Sequence, residues 1–401
     1  MLELEDALTQ ILAVVPPPVA EEISISQAHG RVLTNEVVSQ VNVPPFDNSA
    51  MDGYAVRSAD VASAKPDSPI HLGLSGRVAA GEVFTGEVGP GSCVRLFTGS
   101  PLPQRADAVV MQEDTRDLSE SSGEVLFLEP AKPGENVRRC GEDVTVGTVL
   151  AEAGVILGAG GLSLLAAAGV SQVKAGRRPV VGLLSTGSEL AEPGQSLAPG
   201  QIYESNRVVL AALISRAGGV PKPFPLLRDS LQGTRLALAE AFDQCDAVVT
   251  SGGVSVGEMD FVKDAFRGLG GELQFWKVAI KPGRPFVLGR RGSKLLFGLP
   301  GNPVSALVTF LLLVRSALLR WQGAADVSLP TTWGVLAEPV ENPGARRHFL
   351  RMRIDSNGRV HSAGTQASHV LHSFALANGL LDVSPGTTLS AGATVQLLRF
   401  E

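Results

Sequence analysis

The hydrophobic pattern changes period several times along the chain. Leu4, Leu8, Ile11, Leu12 and Val15 share one helical face and predict a helix over 3–15, ended by the prolines at 16–18. A strand-like ISI at 23–25 and a short helical piece ending near Val38 follow. From about 57 to 140, short β-like runs (VRLFTG, DAVVMQED, GEVLFLE) are cut by Gly and Pro and predict a small β-rich domain. Residues 144–178 carry a strand VGTVL, a helix over 161–168 and a basic, proline-marked boundary at 177–179. Between 179 and 322 the strands PVVGLLST, PFPLL and DAVVT alternate with helices at 205–217, 231–243 and after Asp260, the signature of a parallel α/β sheet. ELQFWKVAIKPGRPFVLG reads as two strands around a Lys-Pro-Gly turn, and SKLLFGLPGNPVSA runs a strand into a helix from about 303. After 323 the pattern is again β: TWGVLAEPV, RHFLRMRID, RVHSAG, LLDVS, ATVQLLRF. The fold class is therefore α/β plus β, multidomain, with a central parallel α/β domain, a β-rich insertion domain and a small C-terminal β-domain.

Length and composition narrow this picture. At 401 residues the chain exceeds one ordinary core. It divides into 1–43 with 144–178 (a discontinuous linking domain), 44–143 (β-rich), 179–323 (α/β) and 324–401 (C-terminal β). A net charge of -6 argues against nucleic acid as partner. Cys93, Cys140 and Cys245 are widely spaced and in no metal-ligand pattern, which points to free thiols in a reducing cytoplasm. The start MLELEDALTQ is acidic and unlike a signal peptide, and the apolar run 304–314, broken by Arg315, is too short to cross a bilayer and fits a buried helix. A cytoplasmic protein with no membrane association is expected.

The candidate chemistry begins at TSGGVSVGEMD, 250–260, where a strand meets a glycine-rich turn and then a helix. Gly252, Gly253 and Gly257 permit a tight turn and close approach of a ligand, and free N–H groups there suit a phosphate. The spacing matches a P-loop, but Glu258 and Met259 occupy the Lys and Ser/Thr positions, which excludes that motif. Carboxylates at this place instead suggest a metal bridging to phosphate; an ordinary connecting turn is the plainer alternative. The alternation makes a spatial prediction. Glu189, Asp229 and Asp260 follow successive strands, Lys277 and Lys281 lie in or after a fourth, and Gly301 and Asn302 precede a helix. Ligands bind outside the carboxyl ends of such strands, so these groups should meet at one edge. In VNVPPFDNSAMDGYAV, 41–56, Asp47, Asn48, Ser49 and Asp52 make either an Asx-type turn or a functional loop. Arg138, Arg139, Glu142 and Asp143 read as a solvated charge cluster, as do Arg346, Arg347, Arg351 and Arg353. His361, His369 and His372 have no metal-ligand spacing.

Six motifs in fixed order, PPFDNSAMDGYAV, RRCGEDV, STGSEL, TSGGVSVGEMD, FWKVAIKPGRPF and GLPGNPVSA, closely resemble the molybdopterin molybdenumtransferases, the bacterial MoeA proteins, which are related to the E domain of gephyrin. The resemblance runs the length of the chain. It implies that the α/β domain is of the molybdopterin-binding type, and that molybdenum from molybdate is inserted into adenylylated molybdopterin with release of AMP. It implies an elongated homodimer of four-domain subunits, with each active cleft between the α/β domain of one subunit and the β domain of the other. Transient contacts with the adenylyltransferase and with molybdoenzyme maturation proteins fit the same role. Carried over as catalytic are Asp52, Asp143, Glu189, Asp229, Asp260, Lys277 and Lys281. Carried over as substrate-binding are Thr98, Ser251, Gly252, Gly253, Arg284, Pro300, Pro303 and Ser368. Mg²⁺ is expected on Asp260 with Glu189 or Asp229, where it polarises phosphate; molybdenum is expected on the substrate's dithiolene sulfurs. The chain departs from the family at Ser188, where Asp is usual, at Arg284 for Lys, at Ala367 for Gly, and at His348, where an acidic residue is frequent. Two other readings are a molybdopterin adenylyltransferase, which shares the SGG loop, and a non-catalytic scaffold on the same fold.

Overall fold

The computed structural model describes residues 1–79, 81–254 and 261–400. Asp260, with Glu258 and Met259, therefore lies outside the described residues. The chain forms two compact units. Unit 1 comprises Met1–Asn35, Ala153–Gly158 and Gln172–Glu401; unit 2 comprises Glu36–Glu152 and Ala159–Ser171.

Unit 1 is built on a six-stranded sheet in the order Val220–Pro223, Val180–Ser185, Ala247–Ser251, Lys294–Leu299, Pro285–Arg291, Glu272–Lys277. The first four run parallel, as the alternation of strands and helices predicts. Pro285–Arg291 is antiparallel to both its neighbours, so Glu272–Lys277 again points the same way as the parallel strands. The central strands AVVTS and KLLFGL are near-continuous apolar runs because helices cover both faces. On one face Pro303–Trp321 is the core helix, with 89% of its apolar stretch buried. Leu4, Ala7 and Ile11 of helix Leu4–Val14 pack into the same core. On the other face helices Leu231–Gln244 and Val262–Gly268 bury Leu238, Phe242 and Phe266.

A second sheet of unit 1 runs Arg347–Ile354, Arg359–Ser362, Thr331–Leu336, Thr394–Arg399, Gly379–Val383, and the last pairs back with the first, closing a small barrel. Closure removes open edges. The strand Ile280–Lys281 joins this barrel against Arg347 and His348. The Lys-Pro-Gly segment is thus more than the simple turn expected: its first residues leave the α/β sheet and pair with the barrel.

Two other expectations shift. The helical piece ending near Val38 is absent; Ala20–Ser24 is a strand, Ile25–Gln27 a single 3₁₀ turn and Val37–Val38 a strand. Pairing of Val32 with Ile156 and of Leu33 with Ala175 holds this stretch extended and overrides local propensity. The strand assigned to PFPLL lies earlier, at Val220–Pro223, on the sheet edge, where its prolines need no ladder partner for their missing N–H.

Unit 2 is a β-domain whose six-stranded sheet is ordered Ala108–Met111, Gly53–Val56, Ser92–Leu96, Ile70–Val78, Glu124–Phe127, Thr115–Leu118. Its core holds Tyr54, Val56, Leu72, Val110 and Phe127. Cys93 and Cys245 are buried and Cys140 exposed, all as free thiols.

Candidate functional site

At the carboxyl edge of the unit 1 sheet, Ser185, Ser251 and Leu299 are level in the register of three parallel strands. The loops that follow are stitched together by main-chain bonds. Thr186 N–H donates to the Ser251 carbonyl (3.1 Å), Gly187 N–H to Leu227 O (3.0 Å), and Gly252 N–H to Leu299 O (3.1 Å). Gly252 and Gly253 have φ of 88° and 70°, and a Cβ on Gly252 would lie 2.7 Å from the Thr186 carbonyl. Glycine is required here for backbone conformation and for close approach. The Gly252 N–H is already used by Leu299, which corrects the expectation that it is free to bind an anion.

Ser251 is buried, and its hydroxyl accepts from Asn206 Nδ2 (2.7 Å), which also donates to the Gly301 carbonyl (2.8 Å). Asn206 thereby ties the SGG loop to the turn of Pro300. Its Oδ1, like the Thr186 hydroxyl, is buried with no hydrogen-bond partner among the described residues. Beneath them Glu204, 2% exposed, accepts from Ser185 Oγ (3.0 Å) and Arg207 N (2.8 Å). Sequence reasoning missed Asn206 and Glu204. The signal was the polar trio Glu204, Ser205, Asn206 directly before an apolar helix, which reads equally well as a helix start.

Asp229 and Ser188 interlock. Ser188 N–H donates to Asp229 Oδ2 (2.9 Å), and Asp229 N–H donates to Ser188 Oγ (3.1 Å). The departure at Ser188 thus leaves a hydroxyl that positions a neighbouring carboxylate. Glu189 is exposed one residue further, and its carboxylate lies over Gly187, where an added Cβ would sit 2.6 Å from Oε2. Two of the three carboxylates assigned to a metal therefore share one loop surface. No group of three or more His, Cys, Asp or Glu able to hold a metal occurs among the described residues. Two carboxylates do fit Mg²⁺, which keeps several waters and takes the rest of its ligands from substrate phosphates.

The candidate cations lie at and after the last strand of this sheet. Lys277 ends the strand Glu272–Lys277, with its ammonium 5.3 Å from the Trp276 ring centre. Arg284 O accepts from Val278 N–H (3.1 Å) and closes the loop on which Lys281 and Arg284 stand exposed. Pro303 opens its helix at the first turn. Val304 N–H donates to the Ser368 carbonyl (3.2 Å), which places Ser368 at the same helix start through its main chain.

Arg351 corrects the solvated-face reading of the barrel arginines. It is fully buried; Nε donates to Ser373 Oγ (2.9 Å), and its NH2 group to the carbonyls of Thr365 (2.7 Å) and Ala367 (3.2 Å). It therefore holds the loop that carries Ser368. Burial without a carboxylate partner lowers its pKa to about 10. Arg347 pairs with Asp382 and Glu5, and Arg346 donates to Ile280 O (2.9 Å). His348 is buried opposite Lys281, and its Nε2 has no partner among the described residues. Burial first, then the charges of Lys281, Arg351 and Arg346, push it down to about 4, so it is neutral at physiological pH.

In unit 2, Asp52 Oδ1 accepts from both the N–H and the hydroxyl of Thr98 (2.8 Å each). The Thr98 N–H, then its hydroxyl, hold the Asp52 carboxyl below its usual range. Asp143 is exposed; its N–H donates to Val43 O (3.0 Å), and its carboxylate has no hydrogen bond or ion pair among the described residues. The Arg139 guanidinium pairs with Asp47 (2.7 Å), while its N–H donates to Glu142 Oε2 (2.7 Å) within the expected cluster.

Comparison with known proteins bears on the family and the fold. The MoeA N-terminal region (domain I and II) matches residues 2–169, a probable molybdopterin binding domain matches 182–320, and the MoeA C-terminal region (domain IV) matches 334–400. The chain is 39% identical to molybdopterin molybdenumtransferase of Haemophilus influenzae, over 100% of this chain and 99% of the relative. It is 40% identical to molybdopterin molybdenumtransferase 2 of Mycobacterium tuberculosis, over 94% and 93%. The structure of molybdopterin biosynthesis moeA protein from Pyrococcus horikoshii OT3 superposes with a TM-score of 0.84 at 30% identity, covering 100% of both chains. With full-length relatives at this identity and three family models along the chain, the chain belongs to the family of molybdopterin molybdenumtransferases.

Proposed function

We propose that this chain inserts molybdenum from molybdate into adenylylated molybdopterin and releases AMP. The observation that supports this reading is the placement of Glu189 and Asp229 after strands at one flank of the unit 1 sheet and of Lys277 at the carboxyl end of its last strand, with Lys281 and Arg284 exposed on the loop that follows. Cleaving a phosphoanhydride requires its negative charge to be neutralised and its oxygens to be positioned. Lys277, Lys281 and Arg284 supply the positive charge; Ser188 and Arg351 supply rigidity through Asp229 and the Ser368 loop. Glu189 and Asp229, with Asp260 as the further candidate, would hold Mg²⁺, which would supply polarisation of the phosphate. Molybdate, an anion, enters toward the same cations, and the dithiolene sulfurs of the substrate take the metal, so the site has no need of a Cys or His cluster. Ser251, Gly252, Gly253, Pro300 and Pro303 stand at the carboxyl ends of the central strands and the helix start that follows, and are assigned to substrate binding.

The proposal extends to the assembly. The protein acts in the cytoplasm as a homodimer of four-domain subunits, divided at 1–43 with 144–178, 44–143, 179–323 and 324–401. Asp52, Thr98 and Asp143 of one subunit serve the edge of the other. Product passes to molybdoenzyme maturation proteins, and substrate comes from the adenylyltransferase.

The test is direct. Purified protein, adenylylated molybdopterin, molybdate and Mg²⁺ should release AMP and yield cofactor that reconstitutes a molybdoenzyme. Lys281→Ala should retain the fold, since Lys281 is exposed, and lose on the order of 100-fold in turnover, the scale seen when one charge-stabilising donor is removed. Undiminished AMP release in that variant would refute the assignment.

A further inference from the structure

One face of the unit 2 sheet carries a constellation that the site residues above leave unexplained. Tyr54, Arg95 and Arg77 are register partners on three adjacent strands, so their side chains stand in one row on one face. Phe97, two residues beyond Arg95, falls on the same side. The Arg77 guanidinium lies 4.8 Å from the Phe97 ring centre, and Arg95 lies 5.3 Å from Phe97 and 4.8 Å from Tyr54. Arg77 is exposed and has no carboxylate partner among the described residues. Tyr54 donates to Asp117 Oδ2 (2.8 Å), and Gln112 accepts from Arg95. These groups line a cavity of about 560 Å³. It adjoins the Asp52–Thr98 pair, since Phe97 precedes Thr98 and the Arg95 charge acts on Asp52.

Guanidinium planes laid on aromatic rings form a flat, electron-accepting platform with N–H donors at its rim. Such platforms bind planar heterocycles, as in the stacking of bases on arginine and aromatic side chains. We infer that this face of unit 2 seats the pterin ring of the substrate, stacked on the Arg77–Phe97 platform. The inference rests on the proposed function for the identity of the ligand. The ring edge decides between the two heterocycles of an adenylylated pterin. A pterin presents a carbonyl acceptor beside an N–H and an amino donor. The carbonyl meets an arginine rim, and the donors meet the remaining lone pairs of Asp117 and Gln112. Adenine has no carbonyl and leaves the arginine rim without an oxygen acceptor.

The experiment uses full-length protein and pterin-6-carboxylate, a planar anionic pterin whose fluorescence reports binding. Wild-type protein should quench it saturably. Arg77→Ala and Phe97→Leu should each weaken binding about ten-fold, the scale of one stacking contact. Arg77→Lys, which keeps the charge but not the plane, should fail to restore it. AMP affinity, measured by calorimetry, should be unchanged in all three. Absence of quenching by wild-type protein, unchanged pterin affinity in both Arg77→Ala and Phe97→Leu, or a parallel loss of AMP affinity would overturn the inference. Arg77-dependent pterin binding in a protein that releases no AMP from adenylylated molybdopterin would sink the proposed function and leave this inference standing. Normal turnover with an Arg77-independent pterin affinity would do the reverse.

Discussion

Asp52 gathers both donors of Thr98 on one carboxylate oxygen, and the two residues lie at the exposed rim of a β-domain. Such a pair contributes little to the fold; its effect is on charge. Thr98→Val removes the hydroxyl and keeps the N–H. The Asp52 carboxyl should then titrate closer to its ordinary value while remaining below it, because the stronger of its two causes survives. Carbon-detected NMR titration of that carboxyl checks this, and the melting temperature should be essentially unchanged. A carboxylate lowered in the fold adds stability above its unfolded pKa and loses it as pH falls through the folded value. His348 behaves with its own sign. Its folded pKa of about 4 lies below the unfolded 6.5, so between those values the unfolded chain binds more protons. The stability due to neutral His348 is complete above about pH 6.5 and is lost as pH falls toward 4. His348→Gln should remove that component from a plot of melting temperature against pH, with Lys281, Arg346 and Arg351 as the facing charges. A slope unchanged in the variant would rule out this titration as its source. None of this was legible in the sequence. There, His348 and Arg351 stand among alternating charges, and nothing in the local pattern distinguishes a buried cation from a solvated one.

At the scale of elements, the sequence was legible where the hydrophobic period was long. The helix over 3–15 and those at 205–217 and 231–243 correspond to Leu4–Val14, Asn206–Arg216 and Leu231–Gln244. The strand order places Glu189 and Asp229 in loops after strands of the α/β sheet and Lys277 at the end of its last strand, whereas Lys281 pairs with the barrel. What the hydrophobic period could not supply were connections made through tertiary pairing. The strand Ile280–Lys281 crosses from the α/β sheet to the barrel, and Arg351 pins the 362–368 loop from inside that barrel. Period-2 reasoning fails on Arg347–Ile354 because residues 348–352 are all buried, on both faces of the strand. The Arg351 contacts make a prediction. Arg351→Met fills similar volume and removes the cost of a buried charge, but strands the Thr365 and Ala367 carbonyls and the Ser373 hydroxyl. The stranded acceptors should outweigh the relief, giving a loss of about 1–3 kcal/mol in denaturant unfolding. Hydrogen exchange at Val304 N–H, which donates to Ser368, should accelerate with it. A variant as stable as the parent, with Val304 still protected, would mean the loop is held by something else.

At the scale of the whole molecule, the chain sorts its chemistry into two units that fold around separate cores. Unit 1 contains Glu189, Asp229, Lys277 and Lys281; unit 2 contains Asp52, Thr98, Asp143 and the arginine–aromatic face. If the proposed dimer builds each active cleft from unit 1 of one subunit and unit 2 of its mate, defects in the two units must complement. Asp52→Asn and Lys281→Ala should each be nearly inactive alone. Unfolding and refolding them together in equal amounts should make half the dimers mixed. In a mixed dimer one cleft carries both substitutions and the other carries neither, because each cleft draws on both chains. Activity should therefore return to roughly a quarter of the wild-type value, the result of random two-fold pairing with shared sites. Clefts confined to one subunit would carry one defect each in every pairing, and mixing would restore nothing. A double variant, Asp52→Asn with Lys281→Ala in the same chain, refolded with wild-type protein completes the comparison. It too leaves one defect in each shared cleft of a mixed dimer, so only the wild-type dimers turn over, whereas unshared clefts would keep half of all activity.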